Sequence, residues 1–117
     1  MKKPTDRILQ DWLTLMGAAA GSLGQNQQYY VNVSRCRKVV VTYTVLKAVN
    51  ADLYLQTSQV AEKKHWRDTE TLTGTGSLVL TRDAGLTSKF VENFLRWRVA
   101  GTAANWQLTF RIKVYGR

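Results

Sequence analysis

The chain opens with apolar residues at intervals of three and four, which is the period of an α-helix. In the stretch PTDRILQDWLTLMG, Thr5 is placed to cap such a helix and Gly17 to end it. The apolar positions would lie on one face and form a docking stripe. Its members are Ile8, Leu9, Trp12, Leu13 and Met16. We therefore predict an amphipathic N-terminal helix.

The next segment, GAAAGSLGQNQQ at residues 17–28, consists of small and polar residues. Such a composition is typical of a flexible linker. The sequence thus predicts two units, an N-terminal helical arm with its linker at 1–28 and a main domain at 29–117. A tethered amphipathic helix can fold back on its own domain or dock on another subunit, and the sequence leaves both outcomes open.

From Tyr29 onward the period of apolar residues changes to two, and β-branched residues become frequent, as in KVVVTYTVLKA. Turn signals separate such stretches about every ten residues, a spacing typical of all-β folds. We predict an all-β protein, an antiparallel, jelly-roll-like β-sandwich of about six to eight strands with an N-terminal helical arm. A closed small barrel is the structural alternative.

The last two predicted strands, in FVENFLRWRVAG and NWQLTFRIKVYGR, are joined by a turn at residues 101–105. Alternate residues of a strand face opposite sides, so Trp97 and Trp106 would face the core. If the two strands pair as a hairpin, their cations share one outer surface. This predicted basic contact face consists of Arg96, Arg98, Arg111 and Lys113.

The charge balance gives this surface more weight. The chain has 17 Lys and Arg against 8 Asp and Glu, a net charge of +9. An excess of this size favours polyanionic partners. The cations could form a solvated face, contact an acidic protein or bind nucleic acid. The inward direction of Trp97 and Trp106 disfavours nucleic acid, because its binding gains from exposed stacking rings.

The sequence contains no recognisable set of catalytic residues. His65 and Cys36 are single, and the carboxylates are scattered, so neither a nucleophile–base pair nor a set of metal ligands is apparent. The GTGS stretch at 74–77 lacks the Lys and the helix of a phosphate loop and is better explained as a turn. We predict no enzyme, no cofactor and no metal site, and we expect Cys36 to be a buried or half-buried strand cysteine.

The pattern LYLQTS, HWRD, FLRWRV and WQLTFRIKVYG, within Val49 to Arg117, resembles small β-sandwich proteins of tailed bacteriophage particles and phage-like assemblies. The same layout is similar to discoidin-like and carbohydrate-binding sandwiches, which share a W-x-D loop and an RW-x-V strand. The phage resemblance implies a capsid decoration, stabilising or tail-associated subunit without catalytic residues.

We therefore predict a non-enzymatic structural subunit of a phage or phage-like particle, which assembles through its arm and its basic face. The expected partners are other copies of the chain and an acidic capsid or tail protein. The alternatives are a carbohydrate- or surface-binding module centred on Trp66 and a non-specific nucleic-acid binder. MKKPTDRILQ lacks the apolar run of a secretion signal. We accordingly expect a virion protein that is assembled in the bacterial cytoplasm, without a membrane partner.

Overall fold

The computed structural model describes residues 5–26, 29–61, 66–81 and 91–116. Over these ranges the chain forms nine β-strands. They are β1 (Thr5–Gly17), β2 (Gly21–Gly24), β3 (Val31–Asn32), β4 (Lys38–Val49), β5 (Ala51–Ser58), β6 (Arg67–Leu72), β7 (Thr75–Thr81), β8 (Phe94–Gly101) and β9 (Trp106–Gly116). Within the same ranges, no helix has the length and apolar character that a membrane crossing requires.

The strands form two antiparallel sheets. Sheet A has the order β1-β9-β4-β7, and sheet B has the order β2-β8-β5-β6, with β3 also paired to β8. The inward side chains of both sheets form one apolar core. Two separate sheets around a shared core make the fold a β-sandwich, as predicted, and not a closed barrel.

The predicted N-terminal helix is wrong, because residues 5–17 form strand β1 along β9. Two register shifts, one between Ile8 and Gln10 and one between Gln10 and Leu13, each insert an extra residue into β1. Such bulges change which side chains face the core. Leu9, Leu13 and Leu15 pack inward, and the two shifts together leave them on the same side of the strand. The apolar spacing that looked helical belongs to a strand interrupted by bulges.

The predicted linker contains strand β2, which pairs with β8 from Gly21 opposite Gly101 to Gly24 opposite Arg98. The segment that the sequence suggested as an arm with a tether therefore contributes one strand to each sheet. The predicted boundary between residues 28 and 29 adjoins residues 27 and 28, which lie outside the described ranges.

The predicted hairpin of the last two strands is also wrong. Strand β8 pairs with β5 in sheet B, whereas β9 pairs with β1 and β4 in sheet A. The turn between them crosses from one sheet to the other. It is held at this end of the sandwich by hydrogen bonds from the Asn105 amide to the Ala18 carbonyl (3.1 Å) and from the Thr102 amide to the Asn50 carbonyl (2.8 Å).

The alternation predicted for β8 and β9 is confirmed by the core. Their inward side chains are buried, and the rings of Trp97 and Phe110 meet edge to face between the sheets with their centroids 5.1 Å apart. Burying large apolar side chains of this kind stabilises a fold by roughly 1.5–3 kcal/mol each. Cys36 is buried, as predicted, but it lies in the loop between β3 and β4 and not in a strand.

Candidate functional site

The four cations of the predicted basic contact face lie on two opposite surfaces. Arg96 and Arg98 point outward from β8 in sheet B, and Arg111 and Lys113 point outward from β9 in sheet A. The core separates the two sheets. The structure therefore does not bring the four residues together, and each pair has its own surroundings.

On the outer face of sheet B, Arg96 is surrounded by partners. Its Nε donates a hydrogen bond to Gln56 Oε1 (2.7 Å), and its Nη1 donates to the Tyr30 hydroxyl (3.0 Å). Its guanidinium carbon lies 4.5 Å from the ring centroid of Trp66, within the range of a cation–π contact. These contacts engage Nε, Nη1 and one face of the Arg96 guanidinium within the protein.

Arg98 lies two residues further along β8 on the same face, and it also contacts an aromatic ring and polar side chains of the protein. Its guanidinium carbon lies 4.4 Å from the ring centroid of Tyr54, and Nη2 forms an ion pair with Asp68 Oδ2 at 3.2 Å. The Gln56 side-chain amide donates to Asp68 Oδ1 (2.8 Å) and so connects the two arginines. We call this cluster the sheet B network; it consists of Tyr30, Tyr54, Gln56, Trp66, Asp68, Arg96 and Arg98.

Trp66, the predicted surface-binding residue, is half-buried just before β6. One face of its ring lies against Arg96, and its centroid is 4.7 Å from that of Tyr30 in an edge-on arrangement. Beside it is an open depression lined by Gln59, Val60, Trp66, Arg67 and Glu92. Trp66 therefore packs within the sheet B network and does not present a flat free platform. His65 of the same predicted loop lies outside the described residues.

The outer face of sheet A has a different chemistry. The register of β7, β4 and β9 places outward side chains in two cross-strand rungs. These rungs are Ser77–Thr42–Lys113 and Thr75–Thr44–Arg111. All six residues line an open depression of about 430 Å³. Strands β4, β7 and β9 contain no Asp or Glu. We call this surface the sheet A grid.

The predicted docking stripe is divided between the core and the surface. Leu9 and Leu13 face the core, whereas the other three side chains remain exposed on β1, at the edge of sheet A. These three are Ile8, Trp12 and Met16, with 51%, 48% and 71% of their surface exposed. We call them the β1 row. The ring centroid of Trp12 is 5.9 Å from the guanidinium carbon of Arg111.

Two glutamines that could not be selected from their sequence context hold β1 against sheet B. Gln25 is buried; its Nε2 donates to the Leu9 carbonyl (2.7 Å), and its Oε1 accepts from the Trp97 amide (3.3 Å). Gln10 Oε1 accepts from Trp97 Nε1 (2.9 Å). Because Gln25 lies in a polar stretch, its sequence context indicated solvent and not a buried bridge.

Across the described ranges, the structure shows no group of three or more His, Cys, Asp or Glu residues that could hold a metal ion. The surfaces described above offer instead apolar contacts on β1, a connected polar network on sheet B and hydroxyls with cations on sheet A.

No family model and no curated protein matches the chain. Among solved structures, the chain is similar to one chain in the structure of infectious bursal disease virus, Gx strain, with a TM-score of 0.53 and 6% sequence identity. The alignment covers 97% of this chain and 31% of that chain. At this identity the similarity is one of fold, and this protein spans about a third of the length of the viral chain.

Proposed function

We propose that the protein is a non-enzymatic structural subunit of a virus or phage-like particle and that it assembles with copies of itself through the β1 row. The observation that carries this proposal is the exposure of Ile8, Trp12 and Met16 along a 13-residue edge strand. The similarity of fold to a chain of a virus structure, over nearly the whole of this chain, supports the particle context.

An edge strand with exposed apolar side chains is a surface that soluble monomers usually avoid, because unpaired backbone groups and apolar area both favour association. Trp is also among the residues that contribute most to protein–protein binding. Contact of two copies along β1 would be self-complementary, as in the symmetric interfaces of most homo-oligomers. A role as a capsid decoration, stabilising or tail-associated subunit is the form of this function that we favour.

The substitution Trp12→Asp tests the assembly. We expect the wild type to form a discrete multimer and the variant to be a monomer, since a carboxylate in an apolar contact would lose its hydration. The variant should still unfold in one cooperative transition, because Trp12 is half-exposed and lies outside the core, and its unfolding temperature should fall only by the stabilisation that assembly supplies. The measurement is the molar mass by light scattering after size exclusion, together with a thermal melt of each protein.

Val79→Asp is the matched control. Val79 lies on β7 at the opposite edge of sheet A, and 42% of its surface is exposed. The same change of charge at that exposed apolar position should leave the mass of the multimer unaltered. If Trp12→Asp keeps the mass of the wild type, or if Val79→Asp dissociates the multimer equally, the β1 row is not the assembly contact.

A further inference from the structure

We infer that the sheet A grid binds the phosphate groups of a single-stranded nucleic acid, without reading the base sequence. The inference does not rest on assembly through the β1 row. It stands on four hydroxyls and two cations that three neighbouring strands present on one outer surface.

Both cations of the sheet A grid have donors available for a ligand. Lys113 is exposed and forms no ion pair with any residue in the described ranges. Arg111 Nε lies 3.6 Å from Asp11 Oδ1, a long contact to a side chain that is 70% exposed, and ion pairs of this kind contribute little. That Nε is itself buried, so a ligand would meet the terminal nitrogens of Arg111, whose side chain is 32% exposed.

The spacing of the grid suits a linear polyanion. Arg111 and Lys113 are two residues apart on one strand, which places their rungs about 7 Å from each other. The hydroxyls of Thr42 and Thr44 belong to the next strand, about 4.8 Å to the side. Successive phosphates of an extended strand can therefore meet successive rungs, each with one cation and neighbouring hydroxyls as donors to the phosphate oxygens.

The distribution of charge favours this face over the other. The sheet A grid has no carboxylate on its three strands, whereas Arg98 on sheet B is paired with Asp68. A strand of nucleic acid carries one phosphate charge per nucleotide at regular intervals. Its phosphates can therefore meet the regularly spaced Arg111 and Lys113 in many alignments of the strand. An acidic protein would need carboxylates placed individually to meet both rungs.

A salt titration of binding tests the inference. A fluorescently labelled oligothymidylate is titrated with the full chain over a series of NaCl concentrations, and the slope of log K against log [NaCl] is measured. For single strands each neutralised phosphate contributes about −0.7 to this slope. Lys113→Gln should therefore make the slope less negative by about 0.7, and Lys113→Gln combined with Arg111→Gln by about 1.4.

Arg98→Gln is the matched control, because it removes the same charge from the opposite sheet. It should leave the slope unchanged. Absence of oligothymidylate binding by the wild type, an unchanged slope for Lys113→Gln, or an equal change for Arg98→Gln would each overturn the inference. Polyaspartate provides a further test, because a general site for acidic chains would bind it as well. The inference would be overturned if polyaspartate displaced the labelled oligonucleotide at the same concentration of negative charge as unlabelled oligothymidylate.

The mass of every variant is measured in parallel, so that the two proposals fail separately. A multimer that does not bind the oligonucleotide contradicts only the nucleic-acid site. A monomer that shows the expected change of slope contradicts only assembly through the β1 row.

Discussion

At the scale of single residues, Trp106 organises the end of the sandwich where the chain crosses between sheets. Its indole is buried, and Nε1 donates a hydrogen bond to the Ala19 carbonyl at 2.9 Å. The ring lies directly against the backbones of Gly17 and Gly101, where an added Cβ would overlap the indole. These glycines are required by close packing, and the tryptophan fixes the start of β9 below β1.

We therefore predict that Gly101→Ala destabilises the fold. The indole of Trp106 is enclosed and hydrogen-bonded, so it cannot move away from the new methyl group, and overpacking of this kind costs about 1–3 kcal/mol. Chemical denaturation measures the free energy of unfolding. Gly21→Ala is the control, since nothing lies within 4 Å of a Cβ at that position. Equal stability of Gly101→Ala and the wild type would show that the corner is not tightly packed.

The faces of individual residues in β8 and β9 could be predicted, because alternation is a local property of a strand. Trp97 and Trp106 face the core and Arg98 faces outward, as expected. The surroundings of the cations could not be predicted, because the partners of Arg96 and Arg98 come from β5, from β6 and its preceding residue, and from Tyr30 before β3. Such contacts depend on which strands become neighbours, and alternation carries no information about that.

At the scale of secondary-structure elements, β1 is an edge strand that is fixed to both sheets. It pairs with β9 in sheet A, and its bulge at Leu9 leaves a carbonyl that Gln25 satisfies from the side of sheet B. The sequence of β1 resembled a helix because residues four apart share a side: Leu9 and Leu13 face the core, and Ile8, Trp12 and Met16 are exposed. A periodicity count cannot distinguish such a strand from a helix until its partner strand is known.

We predict that Gln25→Leu weakens the attachment of β1. The substitution leaves the Leu9 carbonyl and the Trp97 amide without their side-chain partner, and a buried polar group without a partner costs roughly 1–3 kcal/mol. Hydrogen exchange should show faster exchange of the β1 amides, and the unfolding temperature should fall.

Gln107→Leu is the control for this change, because Gln107 points outward from β9 and a surface substitution usually alters stability by about 0.5 kcal/mol or less. Unchanged protection of β1 in Gln25→Leu would mean that pairing with β9 alone holds the strand.

The connection between β8 and β9 likewise depends on contacts between residues that are distant in the sequence. A short turn between two strands usually forms a hairpin, and the sequence offered no sign of a crossing. The crossing is determined by the packing of Trp106 against Gly17 and by the hydrogen bond from Asn105 to Ala18, both of which involve residues far away in the sequence. Such long-range contacts decided how the cations were distributed.

At the scale of the whole molecule, charge and apolar surface are separated. Sheet B has an outer face whose arginines are paired, sheet A has cations without carboxylates on β4, β7 and β9, and the β1 row forms an apolar border along one edge of sheet A. This separation would allow one edge to bind another copy while the neighbouring face binds a polyanion. The net charge of +9 predicted a polyanionic partner but not the sheet that would meet it.

The molar mass of the wild type at low and at high salt tests assembly through the β1 row most directly. Light scattering after size exclusion would be performed in about 50 mM and in about 1 M NaCl, which shortens the screening length to about 3 Å. Because an apolar contact is not weakened by screening, the account predicts one discrete multimer with the same mass in both buffers. A monomer in both buffers, or a multimer that dissociates at high salt, would contradict it.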